Sequence, residues 1–122
     1  MSAARQDAAD RALAALITKI QHVRQELGDA GERALELQEL RRQGQSWFEI
    51  VSGEERPLIV EQISSAIASL ATTGGLWRRD QATALHSEGV SINRIAALYG
   101  VTRQRISALL HDRPEAADPT PN

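Results

Sequence analysis

The stretch that decides the fold is "SINRIAALYGVTRQRISALL", residues 91–110, in which a single glycine interrupts a run rich in aliphatic residues and arginines. Its spacing predicts a helix from Ser91 to about Leu98, a sharp turn at Tyr99-Gly100-Val101 and a second helix from Thr102 to about His111. Ser91 and Thr102 can each supply the capping oxygen that the orphan N–H groups of a helix start require. The first helix must stop within one residue and reverse, so Gly100 is expected at positive φ. Ala96 is small where the two helices cross, and Ile95, Tyr99, Val101, Ile106 and Leu109 are spaced to fill the seam between them.

Outward from this stretch the chain is bounded by its size. At 122 residues and 13.3 kDa it holds one domain, or a small domain with an oligomerising arm. The absence of cysteine excludes a disulfide framework and a thiolate metal site, and fits a reducing cytoplasm. "MSAARQDAADRALAALITKI" carries acidic residues where a signal peptide needs a basic start, and no stretch approaches the roughly 18 apolar residues of a membrane span. A soluble cytoplasmic protein is expected. Alanine, leucine, glutamine, arginine and glutamate dominate, and β-branched residues never alternate with polar ones for long, so the fold class is expected to be all-α.

From about Asp7 to Leu27, apolar residues fall at Leu13, Leu16, Ile20, Val23 and Leu27, in the three-and-four alternation of a heptad seam. Gly28 and Gly31 read as a stop or weak joint, after which "ERALELQELRRQ" resumes helix with Ala34, Leu37 and Leu40 or Leu35 inward. Residues 1–43 are therefore expected to be a helical arm whose seam pairs two copies of the chain. That stripe can equally pack on the chain's own core.

In residues 44–75, Ser46 with Glu49 forms a capping box, and Pro57 opens a helix with Ile59, Ile63, Ala66, Ile67 and Leu70 on one stripe. "TTGG" at 72–75 reads as a C-cap and short linker. "LRRQGQSWFEIV" from Leu40 aligns without gaps on "LHSEGVSINRIA" from Leu85, sharing Leu, Gly, Ser and Ile at a period of 45 residues. Four matches in twelve fit a degenerate second copy and chance recurrence about equally. The first copy has Glu55 where Gly100 would stand and Pro57 at the start of the following helix. Residues 76–113 carry the opening stretch, and the Pro-rich residues 114–122 are expected to be a disordered tail.

Net charge is −2 overall, but it divides as −3 over residues 1–76, +3 over 77–113 and −2 over the tail. Positive charge collects around the opening stretch, the footprint of a nucleic-acid reader. The run with Ala96 and Gly100 four apart, and hydrophobes at each side, resembles the DNA-binding helix-turn-helix of bacterial transcription regulators. Its second half, "GVTRQRISALL", is similar to the recognition helix of sigma-factor region 4 and of resolvase-type DNA-binding domains. The resemblance covers Trp77 to His111 and implies sequence-specific binding of double-stranded DNA by a homodimeric regulator at the nucleoid.

On the wheel of the second helix, Ile106, Leu109 and Leu110 form one apolar arc, with Gln104, Ser107, Ala108 and His111 opposite and Arg103 and Arg105 flanking. Arg103 and Gln104 near the helix start are expected to reach base edges, with Ser107 able to touch either base type. Ser91, Arg94, Thr102 and Arg105 are expected to contact phosphates.

Catalytic chemistry finds little to stand on. His22, His86 and His111 have no partners at metal-ligand spacing, and there is no Gly-rich phosphate loop, nucleophile elbow or paired-acid motif. No enzyme activity, metal or cofactor is expected, and no effector pocket can be read. Trp47 and Trp77 read as core or interface anchors. The competing function is a helical protein-interaction adaptor that engages the transcription machinery through the C-terminal helices without reading DNA.

Overall fold

The computed structural model describes residues 2–111, with side chains from Ala8 onward, and among them the chain is all-α. Five helices occur in order: α1 (Ser2–Arg42), α2 (Trp47–Gly53), α3 (Ile59–Ser87), α4 (Ile92–Tyr99) and α5 (Arg103–His111). The expected tail at 114–122 lies outside the described residues. Two units divide the chain: unit 1 takes residues up to Leu16 together with those from Thr72 onward, and unit 2 takes Ile17–Ala71.

The helix boundaries correct two sequence expectations. Helix α1 runs unbroken through Gly28 and Gly31, and α3 through Thr72 to Gly75. A helical glycine costs about 1 kcal/mol against alanine but removes no hydrogen bond, and the Ala-, Leu- and Glu-rich flanks carry the helix across it. Both glycines that do end helices ahead of a serine sit elsewhere, at Gly44 with φ 96° and Gly89 with φ 95°.

Those two ends share one pattern of bonds. Gln43 N donates to the Glu39 carbonyl, Gly44 N to Arg41 and Gln45 N to Leu40; 45 residues on, Glu88 N donates to Ala84, Gly89 N to His86 and Val90 N to Leu85. Ser46 then caps α2 by accepting from Glu49 N, and Ser91 caps α4 by accepting from Arg94 N. Ile50 and Ile95 follow at matching places, both buried. The period seen in twelve residues is thus a repeated piece of backbone. The copies part at the next turn: α4 ends on Gly100 in the left-handed region at φ 70°, whereas α2 ends on extended Glu54 at φ −75°.

Unit 2 buries Val23, Ala30, Ile50 and Ala66. Its α1 and α3 segments are tied by Gln62, whose Nε2 donates to the Glu26 carbonyl at 3.4 Å, and by Arg33, whose Nη1 donates to Gln62 Oε1 at 2.9 Å. Arg33 also donates to Glu54 Oε2 at 3.2 Å and to the carbonyls of Glu55 at 2.9 Å and Pro57 at 3.0 Å. One guanidinium therefore holds the extended α2–α3 connection in place.

The expected pairing seam is also corrected. Val23 is 3% exposed and buried within its own unit. Leu16 is half-buried, its Cδ1 4.0 Å from where a Cβ on Gly74 would stand. Leu13, Ile20 and Leu27 remain exposed. The inward face of α1 runs through Leu16, Lys19, Val23, Glu26, Ala30 and Arg33, and its polar members are invisible to a count of aliphatic residues. That count therefore merged two neighbouring arcs of one helix. Ala34 and Leu35 also prove exposed, and Leu37 and Leu40 are the half-buried pair. Of the expected α3 stripe, Ile67 faces outward.

Candidate nucleic-acid interface

Helices α4 and α5 are locked together by a core of Ala82, Ile95, Ala96 and Ile106, with Leu85, Tyr99, Val101 and Leu109 packed against it. Ile95 and Ile106 are fully buried. This spacing works because the reversal takes three residues: Gly100 adopts the left-handed conformation that a Cβ disfavours, its N–H reaches back to the Ala96 and Ala97 carbonyls, and Val101 N donates to the Ala96 carbonyl at 3.0 Å.

Thr102 then starts α5 as its cap, Oγ1 accepting from Arg105 N at 3.0 Å. The Ser91 hydroxyl oxygen likewise accepts from Arg94 N at 3.1 Å. In both caps the lone pair is used inward and the hydroxyl proton stays available to an outside acceptor.

With the apolar side of α5 turned into the core, its first turn presents Arg103, Gln104 and Arg105 outward, all exposed. Arg94 and Arg78 are exposed in the same unit. Ser107 is half-buried, and its carbonyl accepts from His111 Nδ1 at 2.7 Å. Ser91 and Arg94 are brought together by one cap and Thr102 and Arg105 by another, so four of the seven residues singled out in the sequence act in pairs. The outer side of α4 lines a shallow concavity with Gly89, Val90, Asn93, Arg94, Ala97 and Leu98.

One arrangement escaped sequence reading. The Tyr99 hydroxyl donates to Gln81 Oε1 at 2.6 Å, and the Arg78 guanidinium lies 4.6 Å from the Tyr99 ring centroid. Burial raises the Tyr99 pKa above its ordinary value of 10.0, with Arg78 pulling the other way. Tyr99 thus anchors α4 to α3 through its polar end as well as its ring, and sets Arg78 over the start of the turn. Arg33 and Glu54, which form an ion pair, stand 45 residues before Arg78 and Tyr99 but outside the twelve-residue match, so no signal in the sequence marked this pair.

Among the described residues no group of three or more His, Cys, Asp or Glu side chains could hold a metal ion, and no helix is long and apolar enough to cross a membrane. No family model matches the chain, and neither a curated protein nor a solved structure is significantly similar to it.

Proposed function

We propose that the chain binds double-stranded DNA in a sequence-specific manner through a helix-turn-helix formed by α4 and α5, and acts as a transcription regulator in two copies at the nucleoid. The observation that carries this reading is the first turn of α5, where Arg103, Gln104 and Arg105 stand exposed on a helix whose opposite side is locked by buried Ile106. A recognition helix must be held rigidly and offer donors near its N-terminus, because the major groove admits one helix and is read from its start. Arg103 suits guanine O6 and N7, and Gln104 suits adenine N6 and N7. The free hydroxyl protons of Ser91 and Thr102, with Arg94 and Arg105, suit flanking phosphates. Half-buried Ser107 takes a lesser part. The role is binding, with no catalytic step, metal or cofactor.

A gel shift with genomic fragments over a salt series tests the reading. Affinity should fall steeply with salt, since phosphate neutralisation releases counterions. Failure to bind any fragment at low salt would overturn it.

The adaptor reading draws on a different observation: Leu98 is 59% exposed on the outer side of α4, beside the concavity. A large aliphatic side chain there suits a protein contact more than a phosphate. Leu98→Ser separates the two readings: it should abolish co-purification with the transcription machinery if the adaptor reading holds, and leave both that co-purification and DNA affinity unchanged if the DNA reading holds.

A further inference from the structure

We infer that one side of the α1–α3 pair in unit 2, the side carrying Ile17, Ile20, Leu27, Leu35, Val60 and Ile67, is the surface on which a second copy of this chain docks, closing a four-helix bundle. The inference rests on the two-copy part of the function proposed above and not on DNA recognition.

The pair is antiparallel: α1 leads through α2 into α3, with Gln62 reaching Glu26 and Arg33 reaching Gln62. At 100° per residue, Ile20 and Leu27 lie next to the Val23–Ala30 seam, with Ile17 and Leu35 further round in the same direction; Val60 and Ile67 stand in the same relation to Ala66 on α3. In an antiparallel pair these two arcs fall on the same side. All six side chains are between 41% and 72% exposed.

Exposure on this scale is costly for so small a body. Unit 2 spans residues 17–71 and fully buries only Val23, Ala30, Ile50 and Ala66, a thin core for its length. Its cover must therefore be present whenever the chain is, and a second copy meets that condition by itself. Gly28 and Gly31 point the same way. Both lie on or at the edge of this arc, each costs helix stability, and beyond the adjoining residues and backbone of α1 itself nothing comes within 4 Å of a Cβ built on either. Small residues there admit close approach of another helix.

Size and charge fit a self-pairing surface. From Ile17 to Leu35 the face is about 27 Å long, and two helices abreast are ~20 Å wide. That footprint, about 540 Å² a side, makes an interface of about 1,100 Å² in total, just above the ~1,000 Å² that a specific interface needs. Arg24 is the one charged side chain from 17 to 35 on the α1 arc, and its long stem lets the guanidinium reach the rim. Two such apolar faces meeting about a two-fold axis build the core of a four-helix bundle.

Sedimentation at about 10 μM, without DNA, should show the wild-type chain as a dimer, and Ile20→Lys with Ile67→Lys should shift it to monomer. The chain has no cysteine, so single thiols can be introduced without background. Arg24→Cys on the face should give a cross-linked dimer with a bismaleimide, and Thr18→Cys, exposed on the other side of α1, should not. The cross-linking comparison stands even if the lysine variant loses its helix. A monomeric wild type, or cross-linking at Thr18→Cys and none at Arg24→Cys, would overturn the inference. Failure of the gel shift with dimerisation intact would overturn the DNA reading alone.

Discussion

Arg33 holds the Glu54 carboxylate at 3.2 Å, and Glu54 uses the same Oε2 to accept from Ile59 N at 3.0 Å, so one ion pair closes the end of α2 onto the start of α3. The Glu54 side chain is only 9% exposed, which makes this pair unlike a surface salt bridge. Arg33→Ala would leave the Gln62 amide oxygen and two carbonyls without their donor and a largely buried carboxylate with Ile59 N but no counter-charge. It should destabilise the protein by about 2–4 kcal/mol, read as a lower midpoint in urea unfolding. A change below ~0.5 kcal/mol would show that water replaces the guanidinium without loss.

The turn of the candidate interface depends on Gly100 at φ 70°. Gly100→Val puts a β-branched residue in the left-handed region, where nothing sterically blocks its Cβ but the backbone itself is strained. A loss of about 1–3 kcal/mol is expected, with DNA binding lost alongside. An unchanged thermal melt would remove this account of the glycine.

Gly75 gives the opposite expectation. It lies inside α3 at a helical backbone, and beyond the adjoining residues and backbone of α3 nothing comes within 4 Å of a Cβ there, so Gly75→Ala should stabilise by about 0.5–1 kcal/mol. A destabilised variant would mean that "TTGG" breaks the helix after all.

Arg103→Ala and Gln104→Ala should each weaken binding to the preferred site by roughly 1–3 kcal/mol and relax one base position. Arg94→Ala should weaken all sequences alike and lower the salt slope by about one. Competition titrations with permuted sites measure both. If the Arg103 and Gln104 variants discriminate like wild type, the reading face lies elsewhere.

The Tyr99 pKa is raised in the folded chain, so above pH 10.0 the unfolded state loses its phenolic proton while the folded state keeps it. Stability contributed by Tyr99 is complete below that pH and falls as pH rises through the unfolded value toward the folded one. Tyr99→Phe should flatten this alkaline loss and cost about 1 kcal/mol at neutral pH by leaving Gln81 Oε1 without its donor. Chemical denaturation at a series of alkaline pH values checks it, and an equal alkaline slope in both proteins would refute it.

Much of unit 1 was legible from residues 91–110 because its signals are local. A serine cap, a glycine that must turn left and a threonine cap act within four residues of themselves, and the aliphatic spacing between them gives one self-consistent seam. The two caps at Ser91 and Thr102, the positive φ at Gly100 and the burial of Ile95 and Ile106 all follow from that spacing. The Tyr99–Gln81 bond was not legible, because it joins residues 18 apart across two helices and no pattern along one helix marks it.

The sequence by itself determined the helical class, the caps of α2 and α4 and the outward set of charges on α5, since each depends on torsions and hydrogen bonds made within a turn or two. A glycine alone did not determine where a helix ends. Gly44, Gly89 and Gly100 end helices while Gly28, Gly31, Gly74 and Gly75 are carried through them. Gly44, Gly89 and Gly100 are each followed two residues on by a hydroxyl that caps the next helix, Ser46, Ser91 and Thr102. Tertiary structure decided which arc of α1 turns inward: Arg33 and Glu26 take part in that face through hydrogen bonds to residues more than 20 positions away, which leaves aliphatic Ile20 and Leu27 outside. Hydrophobic periodicity locates a stripe on a helix, but a polar clamp from a distant segment fixes which edge of that stripe is buried.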